Sequence, residues 1–337
     1  MFQAGIWTCL KDIHDPRLRD LAKELPGMAL SSRANGTVHN YLTAFDRWRR
    51  WAADFDEISF LPAQPKFVAL YLSDLSKTCK THAPISMAFY AIGWVHRTAG
   101  LDDPTIHQLP RLVRDSAIRK LGKGHNKKQP ISVHDLYKIV KKCSGAKVSL
   151  YDLRSVTLCV LAFAGFLRFD ELSHIRYSDI EFYETYFRIF IEKSKTDVYR
   201  DGTWIYVAKT YTVCCPFTIL SRYLKLAKFK KSCDKFIFRS LSYFKTCNEH
   251  RLRPADRAIT YTCTRDIVLK LFKSVGLNSC NFGTHSLRAG GATAAAENHV
   301  SDRLFKKHGR WRSEKVKDAY VKENLEQLLS VSLNLGI

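Results

Sequence analysis

Thr284-His285-Ser286-Leu287-Arg288, then Gly309-Arg310-Trp311, then Tyr320: the reading of this C-terminal run decides the rest of the chain. On a helix, His285 and Arg288 share a face, one turn apart. Trp311 follows Arg288 by 23 residues, and Tyr320 follows Trp311 by nine. A His can donate to a phosphate oxygen or move a proton, and an Arg can clamp two oxygens at once. A Trp offers one indole N–H, and a Tyr offers a phenol. Together they can hold, neutralise and attack a phosphodiester. Singly, the Trp reads as well as a core residue, and the Tyr as packing. Gly290 and Gly291 keep one face of the first helix small and permit close approach.

Upstream, Phe163-Ala164-Gly165-Phe166-Leu167-Arg168-Phe169-Asp170-Glu171-Leu172 places an Arg after an apolar helix and a bend. Arg168 suits a phosphate, because its planar fork donates in parallel and stays charged. Arg168 and Glu171 at i, i+3 equally suit a helix salt bridge, with Glu171 holding its neighbours in place.

The organisation reads as mainly α with a small antiparallel β-sheet. Residues 1–33 form an irregular lead-in with one short helix. Val38, Tyr41, Leu42, Phe45, Trp48 and Ala52 follow the 3.6-residue period, with Thr37 as N-cap. Helices are predicted over Lys66–Ser76, after Pro84 up to a stop at Gly100, and over Leu109–Leu121. A helical domain thus spans 34–122. Residues 123–131, with three Lys, a Gly and a Pro and no apolar period, read as a basic linker. A second domain fills 132–337. Ser132 and Asp135 open its first helix, and Leu150–Phe166 is apolar on every side and therefore buried. Tyr186–Ile191 and Thr203–Val207 alternate as two strands of a hairpin. Helices follow over Pro216–Lys228, Thr262–Val275, His285–Asn298, Ser301–His308 and Ser313–Leu329.

The charge points to the partner. Among 337 residues, 54 Lys and Arg face 32 Asp and Glu, a net charge of +22. A surplus of this size fits a polyanion, and nucleic acid first. Seven basic residues stand against one acid in 111–128, and ten against two in 222–253. Such clusters suit a phosphate backbone, although a single run also serves as a solvated helix face. Hydrophobic residues at 46% fit a folded core and exclude a disordered chain. No apolar run reaches membrane-spanning length, and no secretory signal opens the chain. The ten cysteines are scattered without a C-x-x-C or any metal-ligand spacing, which favours reduced thiols in a cytosolic or nuclear protein.

Arg168, Glu171, a hairpin lysine, His285-x-x-Arg288, Trp311 and Tyr320, in this order and spacing, resemble the tyrosine recombinase (phage integrase) family. The resemblance covers about 130–329, with 34–122 similar to the family's helical, SAM-like core-binding domain and the rest to its α+β catalytic domain. Many members carry His where this chain has Trp311. Cre-type recombinases carry Trp. His308 stands close by, but the nine-residue interval to Tyr320 favours Trp311. Lys193 and Lys195 both suit the hairpin lysine, with Lys195-Thr196 the better match.

The resemblance implies a site-specific DNA recombinase or integrase in which Tyr320 attacks a scissile phosphate and forms a 3′-phosphotyrosyl link. Arg168 and Arg288 would neutralise the charge that builds on the phosphate. His285 would assist by hydrogen bonding or by taking the tyrosine proton, Trp311 would donate to the phosphate, Lys195 would protonate the leaving oxygen, and Glu171 would hold the neighbouring structure or a catalytic group in place. Arg47, Arg50, Arg119, Lys120, Lys123, Lys127 and Lys128 would lie on duplex DNA, with the two domains clamped around it. No metal, ATP or other cofactor is implied. The expected assembly is a synaptic tetramer on DNA, without a membrane. The apolar tail (Leu325, Leu328, Leu329, Val331, Leu333) would dock on a neighbouring protomer or pack on its own domain. A type IB topoisomerase shares this chemistry, and a non-catalytic DNA-binding protein could share the fold. The cysteine use and the Asp170-Glu171 variant point to a eukaryotic mobile element and a nuclear location; otherwise the protein is expected in the cytoplasm.

Overall fold

The structure, a computed structural model, describes residues 1–122, 127–143, 145, 147–192, 201–230, 233–322 and 325–335. The chain divides into two compact units, Met1–His125 and Asn126–Ile337.

The first unit is helical: α1 (Pro16–Ser31), α2 (Asn35–Ala52), α3 (Pro65–Thr78), α4 (Ala83–Ala99) and α5 (Gln108–Leu121). Most of the periodic residues of α2 face inward, but Leu42 is exposed and Tyr41 only part-buried. Val38, Phe45, Trp48 and Ala52 are buried with Phe67, Val68 and Leu72 of α3 and Ile85, Phe89, Ile92 and Val95 of α4. Trp48 is wholly enclosed and donates its indole N–H to the Phe60 carbonyl at 3.0 Å, so its one polar atom is satisfied. Gly100 closes α4 in the left-handed region, φ 67°, a conformation Gly adopts without a Cβ penalty.

Two expectations change here. Thr37 is not the N-cap of α2: the helix begins at Asn35, with Ala34 before it. The first 33 residues are not irregular either. They hold a 3-10 turn at Gly5–Asp12 and the 16-residue α1. Asp15 caps α1 by accepting from the N–H groups of Arg17 and Leu18, and Pro16 supplies the fixed φ of a first helical residue. The Trp7 indole donates to the Thr98 carbonyl at 2.7 Å and ties the 3-10 turn to α4.

The second unit is built on α7 (Leu150–Ala164), preceded by α6 (Val133–Cys143). Ser132 and Ser149 cap these helices. Each hydroxyl accepts the N–H three residues on, at 3.0 and 3.1 Å, and donates to the carboxylate of the same residue, Asp135 or Asp152, at 2.7 Å. Residues Leu153 to Ala162 of α7 are all buried, because elements cover every side. After the one-turn α8 (Phe169–Ser173) come β1 (Ile180–Phe182), β2 (Tyr186–Ile191) and β3 (Thr203–Ala208). They form an antiparallel sheet in the order β1-β2-β3, with Phe187 opposite Val207 and Ile189 opposite Ile205. Phe187, Ile189, Ile191, Ile205 and Val207 point into the core, as the alternation requires.

Beyond the sheet lie α9 (Pro216–Leu226), a separate hairpin of β4 (Leu241–Phe244) and β5 (Glu249–Leu252), and α10 (Tyr261–Ser274). The β4–β5 hairpin and β1 had no sequence expectation; three or four residues carry too little alternation to be seen. The unit ends with α11 (His285–Glu297), α12 (Asp302–Gly309), α13 (Glu314–Asp318) and α14 (Leu325–Leu333). The fold is mainly α with small antiparallel sheets.

The single helix expected over Ser313–Leu329 is broken, and Tyr320 lies in the turn after α13. The N–H groups of Tyr320 and Val321 reach back three residues, to the carbonyls of Lys317 and Asp318. The next N–H, that of Lys322, donates to Thr293 Oγ1 of α11 at 3.2 Å. A tertiary acceptor thus takes the donor that would have continued the helical ladder.

Candidate active site

The site begins where α7 ends. Gly165 closes the helix, and Phe166 takes a left-handed conformation, φ 46°. That conformation is strained for a bulky side chain, by about 1–2 kcal/mol. It reverses the chain, so that Leu167 N–H bonds back to the Ala162 carbonyl at 3.0 Å. It also leaves the Phe166 carbonyl to accept from two arginines, Arg288 and Arg310. Arg168 follows at once. Its backbone N–H and its Nη1 donate to the two carboxylate oxygens of Glu171, at 2.9 and 2.7 Å.

α11 delivers Arg288 from the other side. The glycines next to it are required by contact: a Cβ on Gly290 would stand 2.3 Å from the Ile131 carbonyl, and one on Gly291 would stand 2.1 Å from that of Phe163. Arg288 is 1% exposed. It donates to the carbonyls of Phe166 and Gly309, the latter at 2.6 Å. Its guanidinium lies 4.8 Å from the centre of the Trp311 ring and 4.9 Å from that of Tyr320, within cation–π range. His285 is exposed at the first residue of α11.

Trp311, Phe166, Ala292 and Phe305 form a small buried cluster of their own, against which Tyr320 is half-buried. The rings of Trp311 and Tyr320 are 5.5 Å apart. The Trp311 indole N–H is buried and has no hydrogen-bond partner among the described residues. A buried donor left alone costs about 1–3 kcal/mol, and such an orphan beside a cationic site is a ready ligand for an incoming oxygen. Thr293 Oγ1 also bonds to the Tyr320 carbonyl at 3.5 Å and, with the Lys322 bond, clasps the turn that holds the phenol. His308 donates to the Ala164 carbonyl at 2.8 Å and stands edge-on to Phe166. Burial lowers its pKa and keeps it neutral.

Glu171 is the hub, at 4% exposure. It meets Arg168 at 2.7 Å, Arg310 at 2.7 Å and Arg288 at 3.8 Å. Burial alone would raise its pKa; the Arg310 charge and hydrogen bond, with the Arg168 N–H and charge, overcome this and hold the carboxyl below its ordinary range. Burial, then the charges of Arg168 and Arg310, push the Arg288 pKa down, against the pull of Glu171. The sequence reading missed Arg310, although it stands between the two residues quoted for the motif. Lys317 was missed as well. It pairs with Asp302, Glu314 and Asp318 and fastens α13 to the start of α12.

Arg168, Glu171, Arg288, Trp311 and Tyr320 therefore converge, with His285 one turn from Arg288. Lys193 and Lys195 lie outside the described residues, as does Lys123. Arg47, Arg50, Arg119, Lys120, Lys127 and Lys128 are exposed. Arg50 pairs with Asp46 at 3.1 Å, and Lys128 donates to the Cys280 carbonyl at 2.5 Å. Leu328, Leu329 and Leu333 of α14 are exposed, and the side chains of Leu325 and Val331 lie outside the described residues. Among the described residues no group of three or more His, Cys, Asp or Glu could hold a metal, and no helix is long and apolar enough to cross a membrane.

No family model matches the chain. A curated relative does: an integrase/recombinase xerD homolog of Selenomonas ruminantium is 27% identical over 296 residues, 87% of this chain and 83% of that protein. The fold is shared with XerH site-specific recombinase bound to palindromic difH substrate in a post-cleavage complex, with TM-score 0.61, 14% identity, and 88% of this chain and 79% of that one covered. A lambda integrase tetramer bound to a Holliday junction matches with TM-score 0.56 and 14% identity, over 86% of this chain and 72% of that one. In sequence and in fold the chain is similar to tyrosine recombinases. Arg310 is buried against Glu171.

Proposed function

We propose that this chain is a site-specific DNA recombinase that cleaves and rejoins strands through Tyr320. The observation that carries the reading is the placement of the Tyr320 ring against both the Arg288 guanidinium and Trp311, whose indole N–H has no other partner among the described residues.

In this reading the Tyr320 Oη attacks the phosphorus of a scissile phosphodiester, and His285 takes the phenolic proton. The bond from phosphorus to the 5′ oxygen breaks, and that oxygen receives a proton from Lys195. Arg168, Arg288 and Trp311 donate to the non-bridging oxygens as charge builds there, each worth roughly 10²–10³ in rate by analogy with an oxyanion donor. Glu171 holds the arginines in place. The covalent 3′-phosphotyrosine conserves the bond energy, so rejoining by a 5′-hydroxyl needs neither a nucleotide nor a metal.

Exposed Arg47, Arg50, Arg119, Lys120, Lys127 and Lys128, with Lys123, hold the backbone of duplex DNA. The exposed leucines of α14 dock on a neighbouring protomer in a synaptic tetramer, the 34–122 helices serve as a core-binding domain joined by a basic linker over 123–131 to the catalytic domain of 132–337, and the unpaired state of all ten cysteines fits a mobile-element enzyme in the nucleus.

The test is covalent trapping. Wild type and Tyr320→Phe are incubated with nicked and genomic DNA fragments, denatured with detergent, and scored for protein that stays on DNA. An adduct in wild type alone supports the reading. DNA binding without an adduct in either would leave a binding protein on this fold, and relaxation of plasmids without strand exchange would mark a topoisomerase.

A further inference from the structure

Arg310 occupies an unusual place. It is non-glycine yet left-handed, φ 55°. Its side chain is 5% exposed. Nη1 donates to the carbonyls of His308 at 2.6 Å and Gly165 at 3.2 Å; Nη2 donates to the Phe166 carbonyl at 2.8 Å and to Glu171 Oε2 at 2.7 Å. With both Nη groups engaged this way and its side chain enclosed, it is not placed to grip a substrate. Backbone strain at a buried, ion-paired residue persists only where the surroundings hold it.

The arrangement matters for the other two arginines. Glu171 is the carboxylate they share. Oε1 is taken by Arg168, and Oε2 by Arg310. Arg288 Nη1 stands 3.8 Å from that same Oε2. Without Arg310, Oε2 would keep the Arg168 backbone N–H at 2.9 Å and have the Arg288 guanidinium within reach at 3.8 Å. A buried carboxylate that loses its partner takes the next one. Arg288 would then swing onto Glu171 and off the Trp311 and Tyr320 rings.

We propose that Arg310 is a positioning residue: it serves as the counter-ion of Glu171 Oε2 and thereby keeps Arg288 off that oxygen, leaving the Arg288 Nε–H, which has no partner among the described residues, to meet an oxyanion. With three arginines and one glutamate, the buried cluster keeps a net charge of +2. Only the use of that oxyanion site for strand cleavage rests on the recombinase reading.

The test measures oxyanion binding directly, on the full chain without DNA. Inorganic phosphate is titrated into wild type, Arg310→Gln, Glu171→Gln and the double variant, and arginine side-chain Nε–H signals are followed by NMR; thermal melting is recorded for each. Arg310→Gln should bind phosphate roughly tenfold more weakly, and adding Glu171→Gln should return affinity to within about threefold of wild type, because the competing carboxylate is gone. Arg310→Lys keeps the charge and should also stay within about threefold, which preserves the comparison if Arg310→Gln does not fold. Unchanged affinity in Arg310→Gln, a double variant as weak as the single one, or no phosphate binding by wild type would overturn the proposal. A chain that passes this test but forms no covalent DNA adduct would instead contradict the recombinase reading.

Discussion

The guanidinium carbon of Arg288 lies 4.9 Å from the centre of the Tyr320 ring. The two residues are 32 positions apart in sequence, and neither strand nor helix joins them. α11 fixes the arginine, and the Thr293 clasp fixes the turn that carries the tyrosine. Arg288→Lys is therefore not conservative. A lysine is a point charge and cannot donate to the Phe166 and Gly309 carbonyls while facing the phenol. Covalent adduct formation should fall about 10²–10³-fold, with DNA retention in a gel shift little changed. An adduct yield within a few-fold of wild type would contradict this.

Trp311 separates packing from chemistry. It is 4% exposed, and Trp311→Ala should destabilise the fold by about 3–5 kcal/mol. Trp311→Phe keeps most of the packing but removes the orphan N–H. It should unfold at nearly the same denaturant concentration and still lose roughly 10²-fold in cleavage. Equal cleavage by Trp311→Phe would mean the indole N–H meets no substrate.

Gly291 lies where α11 crosses the end of α7. A Cβ there would also stand 2.8 Å from the Phe166 ring, besides its contact with the Phe163 carbonyl. Backbone cannot rotate away as a side chain can. Gly291→Ala should cost towards the upper end of the roughly 1–3 kcal/mol of an overpacked core, read by urea denaturation. It should also disturb the Phe166 carbonyl that both arginines use. A stability change below about 0.5 kcal/mol would show that the helices part easily.

Glu171 makes stability depend on pH in a predictable direction. Its folded pKa lies below the ordinary value, whereas in the unfolded chain it titrates near ~4.3. Its contribution is complete above that unfolded value and is lost as the pH falls through the folded one. Glu171→Gln should be less stable than wild type by about 3–5 kcal/mol at neutral pH, since two buried arginines and the part-buried Arg168 lose their carboxylate. The difference should narrow below about pH 4. Denaturation curves from pH 7 to pH 3 would show it, and a difference that stays constant would remove Glu171 from the account.

Much of this was legible in the sequence because it is local. The 3.6-residue period marked α2 and α4, the Ser-x-x-Asp pattern at Ser132 marked the start of α6, and the alternation in Tyr186–Ile191 and Thr203–Val207 marked the hairpin. Order and spacing picked out Arg168, Glu171, His285, Arg288, Trp311 and Tyr320 before any geometry was known. The helix, cap and strand signals depend only on residues within a few positions of one another, whereas the site residues were picked out by the resemblance of their joint pattern to a family. What joins distant segments was not legible. The capture of the Lys322 N–H by Thr293 broke a helix that periodicity alone would have continued. The left-handed turns at Phe166 and Arg310, neither of them a glycine, carried no mark in the composition. The pairing of Arg310 with Glu171 spans 139 residues. A buried ion pair exists only once burial has raised the cost of leaving either charge alone, and burial is a property of the packed chain.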